Sequence, residues 1–201
     1  MTVALLVMLL LAAIGAALVV VTTTETLISA SYRSAQEAAH GAEGAVERAL
    51  HDLSTTPDWS LVLAVPPANL VSTFDDRTSM PRGPDGRRLD LAALTVERQR
   101  DSDVRAGPSG FGADSPQWRL YAHAPIEELL PSAAIVLPVY LIVWVADEGL
   151  DGDGNPAIDS NGTILVHAEA FGTGGTRRAV QASIRRSAEG VTRVVSWHRV
   201  P

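Results

Sequence analysis

The stretch MTVALLVMLLLAAIGAALVVV, residues 1–21, carries no charged side chain, and TTTETLISASYRSAQEAAHGAEGAVERALHDL, residues 22–53, follows it without a proline. At about 1.5 Å of rise per residue, a helix over the first 21 residues spans roughly 30 Å, the hydrocarbon thickness of a bilayer. The pattern predicts a membrane-inserted anchor that continues into a stalk. A cleavable secretory signal is the competing reading, but such signals open on basic residues and have a shorter apolar core. Here the apolar run passes the small residues 13–17 and continues through Leu18, Val19, Val20 and Val21, and the first basic residue is Arg33. The missing basic segment also fits a leader removed upstream of Met1.

From Thr22 onward the apolar positions recur at steps of three and four: Leu27, Ala35, Ala38, Ala39, Ala42, Ala45, Val46, Ala49, Leu50 and Leu53. That spacing is one face of a helix. Glu25, Arg33, Glu37, Glu43, Glu47, Arg48 and Asp52 interleave with it, and Pro57 cannot continue the hydrogen-bond ladder, so the helix is expected to end near Leu53. The alanine-rich stripe permits close backbone approach, either to the chain's own sheet or to neighbouring copies of the helix. Gly15 and the β-branched residues 19–24 are poorer helix formers within it.

Beyond the stalk, residues 59–65 read as a first short strand. Residues 66–116 are rich in Pro, Gly, Asp and Arg and read as a long surface loop region with a short helix around residues 90–98. Residues 117–201 read as an antiparallel sheet. Segments 118–123, 134–146, 163–171, 178–186 and 191–198 are rich in β-branched and aromatic residues and are separated by turn signals. Pro138 requires a bulge or pairing that begins after it, and residues 172–176 and 187–190 read as hairpin turns. The fold class is therefore α+β: a long N-terminal helix over 1–53, transmembrane over 1–21 and amphipathic over 22–53, packed on a C-terminal antiparallel sheet within a globular domain over 54–201.

The net charge is −7, and all 16 basic residues are arginines scattered along the chain, so the basic stripe of a nucleic-acid binder is absent. With no cysteine there is no disulfide framework, thiol chemistry or Cys-based zinc site. The five histidines share no metal-ligand spacing, no catalytic triad order is evident, and no enzymatic activity is expected. The pairs Asp75/Asp76 and Asp101/Asp103 read as solvated loop charges.

The densest local motif is DEGLDGDGNPAIDSNG, residues 147–162. Oxygen donors at Asp151, Asp153, Asn155 and Asp159, with the Ala157 carbonyl and Asp147 as further ligands, follow the alternate spacing by which one loop wraps Ca²⁺. A glycine stands where a calcium loop ends in a bidentate glutamate, and Pro156 replaces its central glycine, so this is not an EF-hand. The other reading is a Gly/Asp/Asn-rich connection between strands that needs no metal.

A long N-terminal helix, lipid-embedded in its first half and packed on an antiparallel sheet in its second, resembles the type IV pilin architecture. Within it Met1 to Val7, the patch Thr22-Thr23-Thr24-Glu25, and Gln36 to Leu50 around Ala42-Glu43-Gly44-Ala45 resemble PilX-like minor pilins. The resemblance covers residues 1–53 and extends weakly to the hairpin over residues 164–186. It implies a minor pilin or pilus-assembly subunit of a type IV pilus or related secretion filament, with Met1, Glu25, Ala42 and Ala45 as assembly residues. It further implies storage in the bacterial inner membrane with the N-terminus cytoplasmic and the domain periplasmic, then extraction by an assembly machinery and burial among other pilin subunits in an extracellular filament. Major pilins carry a glutamate at the fifth mature position; Leu5 stands there if Met1 is the mature start, which points to a minor subunit. The alternative is a single-pass, membrane-anchored periplasmic binding or adaptor domain, calcium-dependent through the Asp-rich loop.

Overall fold

Helix α1 runs unbroken from Thr2 to Thr55, about 80 Å at 1.5 Å per residue, in a computed structural model that describes every residue except 65–71, 73, 109, 130–136 and 201. The poorer helix formers of residues 19–24 do not interrupt it. Thr22, Thr23, Thr24 and Thr26 each donate their hydroxyl to the carbonyl four residues back at 2.8–2.9 Å, which satisfies the polar group within the helix. Burial begins abruptly. Every residue from 1 to 33 is exposed, and from Ser34 the buried positions are Ser34, Ala38, Gly41, Ala42, Ala45, Val46, Ala49, Asp52 and Leu53, one stripe of 3.6 period.

That stripe lies on a five-stranded antiparallel meander in the order β1-β2-β3-β4-β5: β1 Arg119–Pro125, β2 Tyr140–Asp147, β3 Thr163–Phe171, β4 Arg177–Arg186 and β5 Thr192–Val200. Alternation along the strands sends Leu141, Val143, Val145, Ile164, Val166, Ala168, Ala170, Val180, Ala182 and Ile184 towards α1. Small helix residues against β-branched strand residues let the backbones come close. At Gly41 an added methyl would stand 3.1 Å from Leu141 and 3.2 Å from Val139.

The opposite face of the sheet is also covered. Helix α3, Leu91–Ala106, starts on Asp90, whose carboxylate accepts the Ala93 N–H at 3.0 Å, and lays Leu91, Leu94, Thr95 and Arg98 over Ile142, Trp144 and His167. The segment read as a loop region thus supplies the second layer, and its helix is two turns longer than expected. Burial on both faces explains why β2 is buried at every position.

One further expectation is corrected. Residues 59–65 do not open with a strand, because α2 is a single helical turn, Ser60–Leu63, with Trp59 tucked under the end of α1 by a 2.9 Å bond from its Nε1 to the Leu53 carbonyl. Val65 and residues 134–136 of the expected second strand lie outside the described residues. Pairing of β2 begins at Tyr140, after Pro138, and the irregularities of register fall instead between Leu120 and Ala122 and between Ser183 and Ile184.

Candidate functional site

Two regions carry the features singled out in the sequence. The first is α1 itself, which is fastened to the sheet at both ends of its buried half. Where the helix enters the domain, Ser34 Oγ donates to the Thr173 carbonyl at 3.1 Å and lies 3.2 Å from Thr176 Oγ1, on the β3–β4 turn. Where it ends, Arg186 of β4 donates to the carbonyls of Leu53 (2.9 Å), Thr56 and Pro57 (2.7 Å) and stacks 4.3 Å above the Trp59 ring. Residues 1–33 are all exposed, so about 48 Å of the helix projects beyond its buried half. Its first part is long and apolar enough to cross a membrane. Met1 and Glu25 lie on this free segment. Ala42 and Ala45 do not: both are fully buried against the chain's own sheet.

The second region is the Asp-rich connection between β2 and β3, at the pole of the domain next to the C-terminal end of α1. The Asp159 N–H reaches Ser60 Oγ of α2 at 3.2 Å. Gly152, Gly154 and Gly162 take left-handed φ of 77°, 77° and 72°, the turns that fold this loop back on itself. A segment just before β1 clasps it from outside: Asp114 accepts the Gly154 N–H, and the Phe111 ring covers Gly149 so closely that a Cβ there would meet ring carbons at 2.3–2.7 Å.

Five of the six expected donors, all but the Ala157 carbonyl, separate into two groups. Carboxylate oxygens of Asp147, Asp151 and Asp153 lie within 4.8 Å of one another. Asn155 and Asp159 instead serve the backbone: Asn155 Oδ1 accepts the Ala157 N–H at 3.1 Å, and Asp159 Oδ1 accepts those of Gly162 (2.7 Å) and Thr163 (3.0 Å), capping the start of β3. Asp151 also accepts from the Ser160 backbone and hydroxyl. Asp147 is 1% exposed at the end of β2 and is pushed up to about 7, first by burial and then by the charges of Asp151, Asp159 and Asp153, against one bond from the Glu148 N–H. Three converging carboxylates, one of them buried and repelled by the others, are a donor set suited to a hard divalent cation.

Two buried polar clusters escaped the sequence reading. Asp75 and Asp76, expected to be solvated, are pinned against edge strand β1: His123 Nε2 lies 3.4 Å from Asp75 Oδ1, and His123 Nδ1 lies 3.2 Å from Asp76 Oδ1 and 2.8 Å from the Tyr140 hydroxyl. Tyr140 in turn donates to Asp76, and burial followed by that contact raises the phenol well above its usual range. On the face under α3, His167 and Glu169 stand two residues apart on β3 with His167 Nε2 3.0 Å from Glu169 Oε1, and Arg177 donates to both Glu169 (2.7 Å) and Glu97 (2.9 Å). The legible signal was His167-Ala168-Glu169, two polar residues on the same side of an otherwise apolar strand.

Compared with models of protein families, with curated proteins and with solved structures, the chain finds no match in any of the three.

Proposed function

We propose that the chain is a minor pilin or pilus-assembly subunit that is held in the bacterial inner membrane by residues 1–21 and polymerises through α1. The observation that carries this reading is the division of one continuous helix at Ser34 into a half buried against its own domain and a half, largely apolar, that is exposed throughout. Exposed apolar surface of that extent requires lipid, other protein, or each in turn. Leu27, Ile28 and Tyr32, exposed beyond the uncharged segment, extend the apolar face towards the domain, where lipid tails do not reach and a neighbouring helix does. The subunit moves mechanically from membrane to filament, and the same side chains exchange lipid for copies of themselves. Peptide mass spectrometry of the N-terminus, on protein from native membranes and from sheared filaments, tests the reading. It predicts an N-methylated terminus cut from a longer, glycine-ended precursor in both fractions. Absence of the chain from filaments overturns it.

A second reading, a membrane-anchored periplasmic adaptor that depends on calcium, is favoured by the buried Asp147 carboxyl beside Asp151 and Asp153. These three residues would hold the ion, which would neutralise their mutual repulsion and fix the loop at the pole remote from the membrane. Calorimetric titration of the detergent-solubilised chain with CaCl₂ tests it, with saturable binding expected and no binding at millimolar calcium as the contrary result.

A further inference from the structure

The face of the sheet under α3 buries a cation that, among the described residues, has no carboxylate within 4.0 Å. Arg98 is 3% exposed, and its guanidinium lies 5.4 Å from the centroid of the Trp118 ring. Among the described residues its hydrogen-bonding contacts are made by Nη1, which lies 3.4 Å from Nδ1 and 3.3 Å from Nε2 of His167, and its buried Nε has no partner there.

Two of the nearby carboxylates, Glu169 and Glu97, are already engaged, while Asp101, whose charge together with that of Glu169 favours the Arg98 cation, stands beyond 4.0 Å from it. Glu169 is held ionised: burial alone would raise it, but the His167 bond and the Arg177 charge together bring it below its usual range. A carboxylate only accepts, so His167 Nε2 carries the proton it shares with Glu169, and Nδ1 is left to accept from Arg98. Arg177 takes both Glu169 and Glu97, two carboxylates for one guanidinium. Among the described residues no carboxylate stands within 4.0 Å of Arg98 or of Arg105, two helical turns further along α3. Buried charges are almost always paired, and a guanidinium offers five N–H donors in a planar fork matched to an oxyanion.

Arg98, Arg105 and Arg177 line one cleft of about 280 Å³ between α3 and β4, with Asp101, Glu97 and Glu169 as its acidic walls. At roughly 30 Å³ for each water molecule, that volume admits a tetrahedral or planar anion together with several waters. We propose that this cleft binds a small oxyanion, a phosphate or a carboxylate, with Arg98 as the inner donor and Arg105 as the outer one. The anion supplies the hydrogen-bonded counter-charge to Arg98 that Glu169 and Asp101 provide only from beyond 4.0 Å. Asp101 opposes it, so the affinity is modest, and Arg177, already balanced by Glu97 and Glu169, contributes orientation more than charge. The site owes nothing to filament assembly and stands independently of it.

Isothermal titration of the full chain in detergent with sodium phosphate and with sodium acetate, at constant ionic strength and against a sodium chloride blank, tests the proposal. Saturable one-to-one binding of at least one of the two anions is expected, and which one binds identifies the ligand as phosphate-like or carboxylate-like. Arg105→Gln, at an exposed position that leaves the fold intact, is expected to weaken binding about fivefold, and Arg98→Lys, which keeps the charge and loses the fork, by about tenfold or more. Heats no different from chloride, or an affinity unchanged by Arg105→Gln, would overturn the assignment even if the Arg98 variant does not fold.

Discussion

Arg186 Nη2 donates to the Leu53 carbonyl at 2.9 Å, so a side chain at the end of β4 closes the C-terminal end of a 54-residue helix. The last carbonyls of a helix have no partner within it, and a cation placed there also meets the negative end of the helix dipole. No basic residue of α1 itself stands in its last turn, so the sheet supplies the cap. Arg186→Ala is expected to lower the unfolding free energy by about 2 kcal/mol, and Arg186→Lys to restore only part of it, since a point charge cannot reach three carbonyls and stack on Trp59. Denaturant titration followed by tryptophan fluorescence measures both, and a loss below about 0.5 kcal/mol for the alanine variant would remove the cap from this account.

Asp147 sets a pH dependence of opposite sign to the usual carboxylate. Its carboxyl is raised from 3.8 to about 7, so the stability it contributes is fully present below about 3.8 and is lost as pH rises through about 7. Without calcium, Asp147→Asn is expected to be more stable than the parent at pH 8 and to differ little at pH 5. If the loop takes calcium, millimolar CaCl₂ raises the melting temperature of the parent at pH 8, less at pH 5, and least in the asparagine variant. An equal calcium response in parent and variant would take Asp147 out of the ligand set.

His167 behaves in the other direction. Burial holds its imidazole below the ordinary 6.5, outweighing the Glu169 contacts that raise it. A depressed folded value means stability present above about 6.5 and lost as pH falls below it, because the unfolded chain takes the proton more readily. NMR titration of the imidazole resonances is expected to place the His167 midpoint below 6.5; a midpoint above 6.5 would contradict the dominance of burial over the Glu169 contacts.

The boundaries between layers were legible in the sequence where a single period governed them. The stripe from Ala38 to Leu53, the strands around Val166 and Val180 and the turns at Gly172 and Gly190 obey period 3.6, period 2 and local turn chemistry, each decided within a few residues. Helix α3 was only half legible because its inward stripe of Leu91, Leu94 and Thr95 ends on Arg98, a charge that reads as the edge of an apolar face although it is buried. The Asp75–His123–Asp76 cluster was illegible for a different reason. The two aspartates stand some fifty residues from His123, and the bridge between residues 75 and 123 with the Asp76 N–H to His123 carbonyl bond brings them together. Within the Asp-rich loop, spacing identified the donors but not their aim, since the backbone N–H groups of Ala157, Gly162 and Thr163 compete for Asn155 and Asp159.

Ala42 and Glu25 separate folding from assembly. Ala42→Leu forces extra volume into a fully buried contact and is expected to cost about 1–3 kcal/mol of stability. Glu25→Ala, on the free segment, is expected to leave unfolding unchanged and to reduce the amount of the chain recovered in filaments. Immunoblots of sheared filaments, read beside denaturation curves, score the pair; full filament recovery of the Glu25 variant would count against an assembly role for that residue.

The absence of native cysteine permits the most direct measurement, oxidative cross-linking of a single cysteine introduced as Leu10→Cys. If residues 1–21 bury one another once lipid is left behind, sheared filaments will contain disulfide-linked subunits through position 10, whereas an Asp85→Cys control on the exposed loop will not cross-link there. A Leu10→Cys chain that stays monomeric under oxidation and is found only in membranes would contradict polymerisation through α1 and leave it an anchor alone.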